Sequence, residues 1–539
     1  MHHQLKLLAI AILFPVLSYG QAVDGVYVGE SGPPIPAGKF MTLIDHVATI
    51  DGHHYVLLGG TDGRDHFQRV FLRQNLFERK AMLVHHNPRV WKIDPSGKLV
   101  ASRFGPELQA EFDVLGMVEL QDQLFLIRSQ RSKNREQIAV FMQPISPAGL
   151  DLDMMPTSVA AIVLKSKTNP GFVAAEKSDN EAYLGFLTAD IKLKKLNHAP
   201  VKMTVVNPKM DLKWRREVDL TEKGKLKELV DFGVDNRGKF YLLIKEVALQ
   251  QGGEVSFRLL QYGKEIEGRS MFTADPALKG QILRMQMDFD PEGNLICSGF
   301  YSPKGQKDKQ MAFVRVYDTI SGELLQTGDH EFDTAFLNGD QTAKEAKGSA
   351  DDLLRYPSRT NNFRPKGLFP KAGGGYYLVG EEWKNVASSS SQRGMGASSY
   401  NYYYHSIAVL GLNPEGQFEW AVKIPKRVRS DKEGGNTGSF FTWATPEKLR
   451  FFYTDDHRNA TIAPGDPIRA YDTGERSNGA VHMATVSSDG KVKRAIAVSG
   501  NGASVQCIPS LSAAGSGEGG LLGTLRGSSF KLRPIMVEE

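Results

Sequence analysis

Between about residues 41 and 527 the chain repeats one pattern about eight times: an apolar run, a polar turn and a second apolar run. Recurrence at roughly 55–80 residues marks a stacked-sheet array, because a unit of that size cannot bury its apolar face alone. The clearest copies share one turn chemistry. Asp94-Pro95-Ser96-Gly97, Asp235-Asn236-Arg237-Gly238, Asp290-Pro291-Glu292-Gly293 and Asn413-Pro414-Glu415-Gly416 each lie between apolar runs. Asp or Asn caps such a turn with its side chain, Pro suits the next φ, and Gly takes the left-handed position without strain. The spacing therefore predicts antiparallel strands joined by a type I turn closed by a left-handed residue.

The turns fall into two classes. Hairpins joining a first strand to a second are expected at 41–60, 113–130, 169–188, 228–246, 283–302, 363–383, 438–456 and 506–527. Hairpins joining a third strand to a fourth are expected at 89–104, 139–155, 201–219, 256–272, 311–328, 406–425 and 480–498. The second class is one short. The last repeat has a third strand at 529–537 and then no fourth, while the short apolar run at 24–28 has no hairpin partner. A ring in which residues 24–28 complete the final blade removes both anomalies and leaves no open sheet edge. The predicted fold is all-β, a β-propeller of eight four-stranded blades. Seven blades stay open as an alternative, because the turns of the third repeat, 169–219, are weak.

Residues 1–20 are set apart from the fold. Met1–Lys6 carries one lysine and two histidines, residues 7–17 are apolar apart from Pro15, and Ser18 and Gly20 are small. This reads as a secretory signal with cleavage after Gly20. The run is shorter than the roughly 20 apolar residues that span a bilayer, and no cysteine follows it to carry a lipid. The remaining 21–539 is expected to be one domain. Its high glycine content, 54 residues, and the scarcity of helical patterning suit a large all-β body. Only Cys297 and Cys507 are present, in predicted strands of different repeats, so both are expected to be reduced and buried. The net charge of +5 is small for this length, which gives no reason to expect a nucleic-acid partner.

A blade of four strands needs about 40–50 residues, and about 65 are available per blade. The surplus is uneven. Long connections are expected at 61–88, 329–362, 384–405 and 455–479, with a helix-like stretch at 343–356. All four emerge on one face, in the contiguous sector of blades six, seven, eight and one. Function concentrates on loops held by a rigid scaffold, so candidate ligand-binding residues are taken from this sector: Trp383, Tyr400, Tyr402, Tyr403, Tyr404, His405, Asp455, Asp456 and His457. Exposed tyrosines would offer rigid amphipathic contact area to a sugar or protein. As alternating strand residues they would instead pack between blades.

The motifs for catalysis are thin. His85-His86 and Asp455-Asp456-His457 are adjacent residues, which point to opposite faces of a strand and chelate poorly. The stretch 62–66 lacks the alternating acids of a calcium loop. Gly-x-Ser-x-Gly is absent. No catalytic residue, metal or cofactor is therefore assigned. The segments 207–214 and 413–420, each ending in Trp, resemble the tryptophan repeats of pyrroloquinoline-quinone propeller enzymes, but only two blades carry them and an adjacent cysteine pair is missing.

A second resemblance lies in Tyr402-Tyr403-Tyr404, Ile407-Ala408-Val409, Asn413-Pro414-Glu415-Gly416-Gln417-Phe418-Glu419-Trp420 and Lys423-Ile424-Pro425-Lys426, continued by Phe451-Phe452-Tyr453-Thr454-Asp455-Asp456-His457 and Asn459. These segments are similar to a group of uncharacterised exported proteins of the Bacteroidota. The resemblance implies an exported protein of the cell envelope, in the periplasm or at the outer-membrane periphery, with an extracellular place still open. It brings no activity. The expected function is a non-catalytic binding or scaffold module for an envelope protein or glycan. The alternative is a carbohydrate-active enzyme with a polar site at the channel mouth.

Overall fold

The four turns form as their sequences dictate. In the computed structural model the Asp94 carboxylate accepts from the backbone N–H of Ser96 and Lys98, both at 2.9 Å, and Asp235 accepts from those of Arg237 and Lys239. Asp290 and Asn413 accept from the N–H four residues on. Gly97, Gly238, Gly293 and Gly416 all take the left-handed backbone, with φ between 73° and 85°. The described residues are 26–29, 32–33, 35–36, 43–60, 82, 84–104, 108, 111–152, 154–166, 171–190, 200–249, 255–273, 280–303, 309–338, 363–389, 398–430, 437–462, 468–474, 477–500, 502–514, 519–526 and 529–537.

The strands these turns join make eight blades ringed round an axis, a β-propeller. Blade one is Leu43–Ile50, His53–Gly60, His86–Ile93 and Leu99–Phe104. Blade six begins with Phe363–Pro370 and Tyr376–Ser389, and blade seven with Phe440–Ala444 and Lys448–Asp456. The fourth strand lies outermost and shows it in its residues: Leu99–Phe104 and Leu212–Val218 alternate half-buried with exposed positions. Second strands are buried on both faces, as in Leu184–Ala189. In blade eight the outermost strand is Val26–Val28, paired antiparallel with Ser529–Val537 in the register Val26↔Val537, Tyr27↔Met536 and Val28↔Ile535. The ring is closed as the strand count requires.

The core is divided among the blade interfaces. Among the described residues, each pair of neighbouring blades shares a hydrophobic cluster, including Val56, Trp91 and Ile93 of blade one against Ile508, Leu521 and Leu532 of blade eight. Cys297 and Cys507 are free and buried in two different clusters. Polar side chains stitch the same interfaces near the turns. Trp214 donates its indole N–H to the carbonyl of Gly238 in the next blade at 2.8 Å, and Trp420 does the same to Ser488 at 3.1 Å. These two tryptophans, singled out in the sequence for their likeness to quinone-binding repeats, dock one blade on the next.

Two expected connections are shorter than their sequences suggested. The stretch 384–405 is mostly strand, because Tyr376–Ser389 and Ser398–Leu412 stay paired from Gly411 up to Ser398, well past the blade itself. The stretch 455–479 starts with the last two residues of a strand and contains a 3-10 turn, His457–Thr461, and the short strand Tyr471–Asp472. The expected helix-like stretch at 343–356 and most of 61–88 lie outside the described residues.

Candidate functional site

The raised end of blade six organises this sector. Its second and third strands are 14 and 15 residues long, and a long two-stranded ribbon needs bracing to hold its position. Bracing comes from Val428–Ser430, antiparallel to Tyr402–Tyr404, and from Tyr471–Asp472, parallel to Val428–Arg429. The small sheet has its own core of Trp383, Tyr402, Tyr404, Val428 and Tyr471. The Arg364 guanidinium lies 3.2 Å from the centre of the Trp383 ring, a cation–π contact that holds the indole. Tyr404 and Tyr471 press on Gly438 and Gly479 at the upper end of blade seven, where a Cβ would overlap either ring.

Trp383, Tyr402, Tyr403 and Tyr404 are therefore buried, and these four do not form an exposed rim. Trp383, Tyr402 and Tyr404 share one cluster. Tyr403 and His405 stack on each other with centroids 6.3 Å apart and are also buried. Tyr400 lies in the same strand opposite Ala387. On one face, Val428 and Tyr471 of the two bracing strands pack against Trp383, Tyr402 and Tyr404.

Beneath this sheet, between blades six and seven, lies a buried charged cluster. Lys426 and Glu381 form an ion pair at 2.7 Å with neither side chain exposed. Lys366 approaches the other Glu381 oxygen at 3.3 Å, and Ser439 donates to it at 2.7 Å. Lys426 also donates to the Gly438 carbonyl at 2.6 Å. Burial works against the Glu381 charge, but Lys426 and Lys366 hold its carboxyl below the usual value. Asp455 is nearby and fully buried. Burial pushes its carboxyl up to about 7, against the hydrogen bond from Asn459 and the charge of Lys426. Asn459 donates to Asp455 at 3.0 Å and to the Arg469 carbonyl at 2.8 Å, and accepts from the Arg469 N–H at 2.9 Å. One buried amide thus pins the connection after Asp456 to the blade below. Asp456 caps the 3-10 turn by accepting from the Arg458 N–H and guanidinium. Although burial opposes it, those bonds keep the Asp456 carboxyl low. His457 stands about half exposed, its ring 3.2 Å from the Asn478 carbonyl.

The structure thus brings Asp455 and Asp456 to one strand end but turns them to different partners, and leaves His457 outside. Among the described residues no three His, Cys, Asp or Glu side chains are placed to share a metal. Glu381, Lys366, Lys426, Asn459 and Tyr471 had not been chosen from the sequence as site residues. Lys426 and Asn459 do stand in the segments that carried the resemblance. Glu381 gave no signal, since a Glu-Glu pair after an apolar run looks like a solvated strand end.

No family model matches the chain, and no curated protein matches it. Solved structures similar to it include a protein of unknown function from Bacteroides caccae, at 10% identity over 64% of this chain and 94% of that one, with a TM-score of 0.25. The β-propeller domain of the Trilobed protease from Pyrococcus furiosus is 9% identical over 85% of this chain and 95% of its own, at a TM-score of 0.36. An α-L-arabinanase from Penicillium chrysogenum is 8% identical over 74% of this chain and 98% of its own, at a TM-score of 0.30.

Proposed function

We propose that this protein is a non-catalytic binding scaffold of the bacterial cell envelope, exported by the segment 1–20, which holds an envelope protein or glycan on the upper face of blades six to one. The observation that supports this reading is the braced extension of blade six. A ribbon raised beyond its blade, given two extra strands and a private aromatic core, is costly in ordered residues and adds nothing to ring closure. Its use is to hold the paired strand ends, Ser389 and Ser398, at a fixed height and angle. Rigid presentation lowers the entropy lost on binding. The enzyme alternative would need an accessible acid or base. Asp455 has a shifted acidity suited to that work, but it is 1% exposed, so a substrate does not reach it.

The test is capture from envelope extract by the purified chain, compared with a variant in which 390–397 is replaced by a short Gly-Asn-Gly turn. The reading expects partners retained by the unmodified chain to be lost from the variant while the melting temperature is unchanged. An identical set of partners from both would overturn the role of the raised ribbon. Cleavage of an envelope polysaccharide by the unmodified chain would favour the enzyme.

A further inference from the structure

Seven blades end in an outermost strand of five residues or more, and six of those strands carry charge, among them Arg103, Arg215, Arg269, Asp329, Glu419 and Lys493. Charge on an edge strand discourages a second strand from pairing there. Blade two differs. It consists of Asp113–Leu120, Gln123–Arg131, Gln137–Ile145 and Thr157–Val163, with the last strand outermost. From Met154 to Leu164 the sequence Met-Met-Pro-Thr-Ser-Val-Ala-Ala-Ile-Val-Leu holds no charged residue. Among the described residues, no strand other than Gln137–Ile145 pairs with Thr157–Val163. The strand is firmly seated. Val159, Ala160 and Ile162 are buried in the cluster shared with blade three, and the Val159 carbonyl, at a bulge, accepts from the Arg215 guanidinium of that blade at 3.0 Å. The Met154 carbonyl accepts from the Gln143 amide at 2.7 Å. The other side chains are small or apolar and open to water. Ser158 and Ala161 are exposed, and Met154, Met155 and Val163 are exposed by 57%, 85% and 58%.

We propose that Thr157–Val163 pairs antiparallel with the same strand of a second copy of this chain, joining two blades into one eight-stranded sheet. What fits a strand edge is an extended backbone, which supplies the matching row of donors and acceptors. Charge and symmetry then name the occupant. A two-fold axis brings identical segments together in opposite directions. A stretch free of charge makes no like-charge contact in any such register, and like charges opposite each other are what oppose pairing. The apolar ends are complementary to themselves. Antiparallel pairing lays Met154 and Met155 of each copy toward Val163 of the other, so the exposed side chains at both ends of the strand are covered at once. The pairing also closes on itself, since each copy uses its one uncharged edge of this length, and a dimer rather than a filament results. A contact of one strand and its flanks falls at the small end of interface sizes, so the dimer forms reversibly. The surface lies on a different blade from the raised ribbon and is independent of the scaffold reading.

The test is sedimentation equilibrium of the purified chain over a range of concentrations, with amide hydrogen exchange on the same samples. The proposal expects a monomer–dimer equilibrium in which the amides of 157–163 exchange more slowly as concentration rises, while those of the blade-one outer strand, 99–104, do not change. Ala161→Lys places a charge on the pairing strand at an exposed position, so the fold is kept and the melting temperature of the monomer is unchanged. It should weaken the dimer at least tenfold, and Met155→Ser should weaken it several-fold. Ala161→Ser, and Val100→Lys on the rim of blade one, should leave it as it is. A chain that stays monomeric throughout, or a dimer indifferent to Ala161→Lys, overturns the proposal. So does protection of 157–163 that appears on adding envelope extract and never with the chain alone, because the edge would then belong to a different protein.

Discussion

Asp455 shows how far a single side chain departs from its ordinary behaviour here. An aspartate in an unfolded chain titrates near about 3.9, whereas burial raises this one to about 7. Between those values the native protein keeps a proton that the unfolded chain has released, so stability falls as pH rises across that window. The full penalty is present above pH 7 and amounts to at most roughly 4 kcal/mol, at about 1.4 kcal/mol per pKa unit. Asp455→Asn keeps an acceptor for Asn459 and removes the charge. Melting temperatures of the two proteins should converge near pH 4 and diverge toward pH 8, with the variant more stable. Parallel profiles would show that Asp455 is an ordinary carboxylate. The sequence placed Asp455, Asp456 and His457 together as a ligand-binding trio, and adjacency was the only signal it held. What separates them is alternation along the strand and the capped turn that begins at His457, and neither is visible until the strand's end is known.

At the scale of elements, the blade six–seven interface carries a polar feature inside an apolar cluster. The Glu381–Lys426 pair sits just above Val379, Ile407 and Phe440. Desolvating two charges offsets most of their attraction, so such a pair contributes little net stability, while removing one partner is expensive. Glu381→Ala should cost about 3–5 kcal/mol in denaturant unfolding. Glu381→Leu combined with Lys426→Met should recover most of that loss. If the double variant is as unstable as the single, the pair is doing more than satisfying itself. The turns and the strands they join were legible because Asp, Pro and Gly each answer to a local backbone requirement. The raised sheet of blade six was not. Val428–Ser430 is three residues long, and its pairing with Tyr402–Tyr404 depends on the chain doubling back after Ile424, which no local pattern encodes. Read without that strand, the tyrosine run fits equally a contact surface or packing between blades. The inner-strand bulges were equally hidden, although they recur in the first hairpins of blades one, two, four, five and six.

For the whole molecule, eight blades and the closing strand followed from counting hairpins, since a missing fourth strand and a spare first one are complementary defects. The closure carries a direct test. Val26 is 1% exposed and packs against Trp443, Val481 and Ile535. Val26→Asp should place an unpaired charge in the blade seven–eight cluster and lower the free energy of unfolding, measured by denaturant titration, by several kcal/mol. A variant as stable as the unmodified chain would mean that this strand does not hold the ring. The same strand sets the order of assembly. Val26–Val28 is made before blades one to seven, and its partners, Ile535 to Val537, after them. Any chain delivered N-terminus first must keep this strand waiting while seven blades form. Ring closure is then the final event, and a contact of such long sequence separation is slow to form. Until it does, the outer edge of Ser529–Val537 in blade eight is unpaired. For that interval the equivalent strand of a neighbouring chain can compete for the same edge, and concentration decides how often it wins.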